Sequence, residues 1–305
     1  MSGSTRREFL VRTATAAALA AAAVPGMAQV TPAPATKRKL KKGVVVGMIE
    51  VKGTWTDKFK ALKAAGFDGV QMDSPLPAEA ALKDVLAARD AAGIEIEGAI
   101  DATHWSVPLS DADPKKRERA LADLKTALRE CKEMGGGSVL LVPGVVNRST
   151  AYDDVWKRSQ EVIRQAIPTA EETKVKIAIE NVWNQFIMSP MEAVRYLEEI
   201  NHPLVGWHFD IGNVVTYGWP EQWIRILGKR LFRVHLKDYS RKKRDDLGLW
   251  KGFDVELGEG DVDWAAAMKA FDDIGYDGWC TAEVAGGDEK RLKFLAQRID
   301  SLFAK

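Results

Sequence analysis

The chain has 305 residues, 46% of them hydrophobic, enough for one large core and, by length alone, for two ordinary domains. Its 44 Lys and Arg balance 43 Asp and Glu, so no net field recruits a polyanion, which argues against nucleic acid as a partner. Cys131 and Cys280 stand far apart without CxxC spacing, which argues against a disulfide framework or a thiolate zinc site and leaves both as small buried hydrophobes.

Taken in chain order, residues 1–28 read as an export signal: STRREFLVR, an apolar run from Ala16 to Val24, then the small-residue stretch Pro25 to Ala28. Arg6 and Arg7, followed by Phe9 and Leu10, resemble a twin-arginine signal. The run is too short to span a bilayer convincingly, so no stable membrane anchor is expected once the signal is removed. The expected location is periplasmic or otherwise extracytoplasmic, and the twin-arginine route carries folded proteins, so a cofactor could be loaded before export. Residues 29–42, rich in Pro, Ala and Lys, read as a flexible linker, and the catalytic domain as 43–305.

From Gly43 onward, short β-rich segments alternate with amphipathic helical ones. Strands are expected from Val44, Gly69, Ile94, Ser138, Lys176, Val205, Phe232 and Trp279. Several helical stretches end in Gly, the usual left-handed cap, with the next strand close behind. Strict alternation over eight strands points to an α/β (β/α)8 TIM barrel rather than two domains. An open doubly wound sheet would call for a GxGxxG after the first strand, and none is present.

Catalytic groups in such barrels project from the C-terminal strand ends. The fifth strand ends at Glu180-Asn181, the sixth at Asp210 after His208, the seventh carries His235 followed by Lys237 and Asp238, and the eighth ends at Glu283. Side chains alternate along a strand, so Ala178 shares a face with Glu180, His208 with Asp210, Arg233 with His235 and Lys237, and Thr281 with Glu283. Burying these groups unpaired under the helices would cost roughly several kcal/mol each, so the barrel mouth is their expected place. Three carboxylates and an imidazole that converge repel one another unless a cation sits among them. The oxygen-rich set with one nitrogen suits Mn²⁺ first, then Mg²⁺ or Co²⁺, and can accept Zn²⁺.

The segments IEN, HFDIGN, VHLKD and TAE, in this order at the ends of strands five to eight, resemble the sugar phosphate isomerase/epimerase family with its xylose isomerase-like barrel. The resemblance implies one divalent metal bound by Glu180, Asp210, His235 and Glu283, with Glu180 and Glu283 also the acid/base pair. It further implies that Arg241, six residues after His235, binds substrate. Several ketose epimerases of the group carry His where this chain has Asn213, so the epimerase subtype is left open. His104, Trp105 and Trp183 are expected to contact a sugar, with Lys237 and Asn213 nearby. Asn181 is expected to orient Glu180, with His208 a supporting group behind the ligands. The run RKKRDD reads as a solvated loop, and Leu257 to Trp264 as a loop leading into a helix.

Two other functions use parts of the same constellation. A lyase or hydratase acting on keto-glycosides would keep the metal and both glutamates, and export favours such a substrate over a sugar phosphate. A non-enzymatic sugar-binding module would keep the Trp and Arg contacts without needing two opposed glutamates. An endonuclease IV-like multi-zinc cluster would need more than the four histidines present. The small-molecule partner is therefore a sugar or keto-glycoside, with homo-oligomer formation left open.

Overall fold

The structure, a computed structural model, describes residues 38–77 and 80–305. The export signal expected over 1–28 and the start of the expected linker lie outside the described residues. Eight parallel strands form a closed barrel in sequential order: β1 (Lys41–Val45), β2 (Gly69–Ser74), β3 (Glu95–Asp101), β4 (Ser138–Leu141), β5 (Lys176–Glu180), β6 (Val205–Asp210), β7 (Leu231–Leu236) and β8 (Trp279–Ala282).

Closure corrects the linker boundary. Lys41 and Lys42 belong to β1, where they register against Trp279 and Cys280 of β8. Before them, the Arg38 guanidinium already bonds Asp272 and the Phe303 carbonyl. The lysines disguise a strand: Lys41 reaches Glu95 at 2.7 Å and its ammonium lies over the Trp279 ring, so the stem packs while the charge stays in water.

Around the barrel run α1 (Trp55–Ala65), α2 (Leu82–Ala92), α3 (Pro114–Met134), α4 (Tyr152–Thr173), α5 (Pro190–Ile200), α6 (Ile211–Val215), α7 (Pro220–Leu227), α8 (Arg241–Leu247), α9 (Trp264–Ile274) and α10 (Glu289–Phe303). Thr54 with Asp57 and Ser189 with Glu192 form capping boxes that satisfy the free N–H groups starting α1 and α5. The expected loop RKKRDD is instead helical, because Ser240 accepts the Lys243 N–H and caps α8. Leu257 to Trp264 does lead into a helix, with Asp263 accepting from Ala266 N–H at the start of α9. No helix among the described residues is long and apolar enough to cross a membrane.

The lumen is polar as well as packed. Contacts between strands that are not neighbours can be made only across it, and three such contacts stack along its axis. Glu97 of β3 lies 3.2 Å from Arg233 of β7 and accepts from Thr281 of β8. Gln71 of β2 meets His235 of β7 at 2.7 Å. A Cβ on Gly43 would fall 2.5 Å from Thr281 Oγ1 and 2.9 Å from Glu97 Oε1, so only glycine fits β1 against this polar layer.

Candidate active site

The four expected ligands come together. Glu180 closes β5 in register with His208, and Asp210 closes β6 in register with His235. Glu283 follows β8 directly, its N–H bonded to the Leu236 carbonyl at 3.2 Å. One ligand atom from each of Glu180, Asp210, His235 and Glu283 lies within 4.8 Å of every other. His235 Nδ1 sits 3.3 Å from Glu180 Oε1 and 3.2 Å from Glu283 Oε2.

Gln71 decides which imidazole nitrogen faces the acids. Its Oε1 can only accept, so at 2.7 Å it accepts the His235 Nε2–H and turns Nδ1 toward the carboxylates, where Nδ1 is protonated without a cation and would offer its lone pair to one. His235 Nδ1 and Asp210 Oδ2 are both buried among charged groups, Nδ1 between the two glutamates and Oδ2 3.0 Å from the Lys237 ammonium. Three carboxylates and one imidazole nitrogen crowded within 4.8 Å fit a divalent cation that takes oxygen and one nitrogen.

The electrostatics follow from burial and crowding. Burial opposes the imidazolium of His235, but the Glu283 and Glu180 carboxylates outweigh it and raise its pKa to about 10. Burial pushes Glu180 up to about 7. Burial also acts on Glu283, but His235 and Lys237 prevail and hold it well below the ordinary carboxylate range. Burial raises Asp210, against the pull of the Lys237 ammonium. Lys237 itself lies 2.7 Å from Glu283 and 3.0 Å from Asp210, so it is an ion-pair partner of the ligands.

Asn181 acts differently from its expected role. Its Oδ1 accepts from Trp207 Nε1 and from the Asp210 N–H, both at 3.1 Å, and its Nδ2 donates to the Asp210 carbonyl at 2.8 Å. It therefore fixes the backbone end of β6 rather than the Glu180 carboxylate. Asn213 completes this corner, donating its N–H to Asp210 Oδ1 at 2.8 Å and its amide to the Asn181 carbonyl at 3.0 Å. His208 packs edge-on against His235, ring centroids 4.1 Å apart, with neither nitrogen bonded. Burial and the neighbouring His235 hold it neutral, far below its ordinary pKa.

A cavity of about 1060 Å³ opens above the four ligands, and Trp105, Glu180, Trp183, Asn213, Lys237 and Glu283 are among its lining. Two expected sugar contacts are not. Arg241 turns away: its Nε and Nη2 donate to the Val215 and Gly218 carbonyls, both at 2.9 Å, and it stacks over Trp219. As the first residue of α8, it ties that helix to the C-terminus of α6 and the turn that follows. His104 is buried, and its Nδ1 accepts the Val142 N–H at 3.3 Å, which spends the ring on backbone structure. Two features had little sequence signal: Gln71, one polar residue inside an apolar strand, and the aromatic pair of exposed Trp250 and half-buried Phe253, which lie beyond a charged run.

Fold and site together define a (β/α)8 barrel with an acid and imidazole centre at the C-terminal mouth of its strands. The chain belongs to the xylose isomerase-like TIM barrel family, whose pattern it matches over residues 59–302. It is 26% identical over 235 residues to the putative L-ribulose-5-phosphate 3-epimerase SgbU of Escherichia coli, which covers 74% of this chain and 82% of that protein. It is 25% identical over 256 residues to an inosose dehydratase of Clostridium perfringens, 75% of this chain and 82% of that one. The apo crystal structure of the 3-keto-D-glucoside 4-epimerase YcjR from E. coli superposes with a TM-score of 0.71 at 17% identity, over 87% of this chain and 100% of that chain, a likeness of fold.

Proposed function

We propose that the protein is a divalent-metal-dependent sugar isomerase or epimerase that works by removing and returning a proton beside a carbonyl. The convergence of Glu180, Asp210, His235 and Glu283 within 4.8 Å carries this reading, and the names of the relatives above support it. When bound, a divalent ion such as Mn²⁺ supplies electrophilic stabilisation of the negative charge that builds on the sugar oxygens. Glu180 and Glu283 stand on β5 and just after β8, separated around the rim by β6 and β7, and so reach a planar intermediate from different sides. One carboxylate takes the proton and the other delivers one. Delivery to the opposite face inverts the centre, whereas delivery to the adjacent carbon converts ketose to aldose. Lys237 offsets the charge of Asp210 and Glu283. Trp105 and Trp183 offer ring faces to sugar C–H groups. The twin-arginine-like start of the chain supports an extracytoplasmic setting, which cell fractionation would check.

Deuterium incorporation from D₂O, followed by NMR over free ketoses, keto-glycosides and sugar phosphates, tests the chemistry with Mn²⁺-loaded and metal-stripped protein. Metal-dependent exchange at a carbon beside a carbonyl is the expected result, and product structure separates epimerisation from isomerisation. Loss of water or of a glycosyl group instead would favour the lyase reading, to which the dehydratase relative lends its name. Binding without exchange across the whole panel would overturn proton abstraction and favour a sugar-binding module.

A further inference from the structure

We infer that the cavity carries an aromatic subsite, built by Trp183, Trp250 and Phe253, that takes a second uncharged ring, so that the substrate is a neutral glycoside. The assignment of the reacting end rests on the proposed function; the subsite stands on the observations below.

The cavity is too large for one sugar ring. At about 1060 Å³ it slightly exceeds the range of roughly 300–1,000 Å³ typical of pockets for drug-sized ligands. Its outer wall is aromatic. The Trp183 and Trp250 ring centroids are 4.7 Å apart at 49°, and those of Trp183 and Phe253 are 4.9 Å apart at 40°. Trp183 is fixed from behind by its Nε1 bond to the Asn213 carbonyl at 2.8 Å. Trp250 leaves 68% of its surface in water, an unusual placement for so large an apolar ring and the one expected of a face that a ligand covers. The platform reaches the reacting centre directly, because the Lys237 ammonium that bridges Asp210 and Glu283 also sits 5.4 Å from the Phe253 ring centroid.

The charge of the wall selects against phosphate. Seven carboxylate residues line the cavity against four cationic ones. Each of those four among the described residues is already bonded: Lys237 to Asp210 and Glu283, Lys242 to Asp246, Lys243 to the Asp254 carbonyl, and Arg291 to Glu256. A phosphate dianion would find one lining cation, Lys243, without a carboxylate partner among the described residues and would otherwise have to displace existing ion pairs, whereas a pyranose would lay C–H groups on the rings and hydroxyls on the carboxylates.

Calorimetry on the full chain, metal-stripped and Mn²⁺-loaded, would compare methyl glucoside, cellobiose, p-nitrophenyl glucoside and glucose 6-phosphate. The two larger neutral ligands are expected to bind about ten-fold more tightly than methyl glucoside, and glucose 6-phosphate most weakly. Trp250→Ala should abolish the ten-fold gain and Trp250→Phe should keep part of it; the exposure of Trp250 means that neither change disturbs the core. The inference falls if the gain is absent, if it survives Trp250→Ala, if glucose 6-phosphate binds tightest, or if none of the four binds. Deuterium exchange separates this from the reaction itself. Exchange into free ketoses with no second-ring gain would sink the subsite alone, while a Trp250-dependent gain with no exchange in any sugar would sink proton abstraction alone.

Discussion

At the scale of single residues, the site depends on groups that never reach the cavity. Gln71→Leu removes the acceptor that holds the proton on His235 Nε2, freeing the ring to turn or to present the wrong nitrogen. Mn²⁺ affinity measured by calorimetry should fall about 10–100-fold, with Gln71→Glu retaining most of it through an equivalent acceptor. Asp101 and His104, near the end of β3, make opposite contributions to acid stability. Burial raises the Asp101 carboxyl to about 6 and lowers the His104 imidazole to about 4. Between pH 6 and 4 the folded state thus holds more of the Asp101 proton than the unfolded chain does, which favours folding as pH falls. Over the same interval the unfolded chain holds more of the His104 proton, which disfavours it. Asp101→Asn, which keeps the acceptor for the Thr103 N–H and hydroxyl, should therefore lose stability more steeply than the parent between pH 6 and 4. His104→Gln should lose it less steeply; urea titrations at both pH values would show the divergence. The four ligands were legible because period-two alternation puts each on a known face of a known strand. Gln71 was not, since its task exists only once β2 and β7 face each other across the closed lumen.

At the scale of elements, the segment between α8 and α9 is organised by one buried carboxylate. Asp238 accepts from the N–H groups of Tyr239, Gly258 and Val262 and from Trp264 Nε1, at 2.8 to 3.3 Å. A Cβ on Gly260 would come within 2.1 Å of Asp238 Oδ1, so the loop closes on the carboxylate only with glycine there. Asp238→Ala strands several of these donors and should cost roughly 2–4 kcal/mol in urea unfolding, with protease nicking concentrated between residues 254 and 262. The element pattern itself was readable from alternating periods and glycine caps, which are local signals. The start of β1 was not, because Lys41 and Lys42 look like linker until β8 supplies their partner. Arg241 escaped for a related reason. Spacing along the chain fixes its distance from His235 in residues, but the Ser240 cap begins a helix there and swings the guanidinium onto carbonyls at the end of α6 and just beyond it.

For the whole molecule, the proposed metal-ligand set joins four successive strand ends, so ion binding there should report on the entire barrel. With free Mn²⁺ at a hundred times its Kd, the folded state should gain about 2.7 kcal/mol over metal-stripped protein, seen as a single shifted transition in calorimetry. Glu283→Gln should shrink that gain. A transition that splits in two would show that the β5 to β8 half melts apart from the rest. The overall architecture was accessible from eight strand signals in strict alternation, whereas the size and aromatic wall of the cavity depended on how long loops fold over the mouth.

The two glutamates differ in exposure: the Glu180 side chain is 7% exposed and that of Glu283 38%. A carboxylate open to water trades its hydrogen isotope with the bulk far faster than one sealed in the barrel. The sealed group therefore keeps a memory of the last substrate it touched. When Glu283 delivers, the product should carry solvent deuterium from the first turnover. When Glu180 delivers, slower exchange should leave part of its hydrogen derived from a sugar it had deprotonated in an earlier turnover of the opposite direction, so early product formed in D₂O should carry less solvent deuterium.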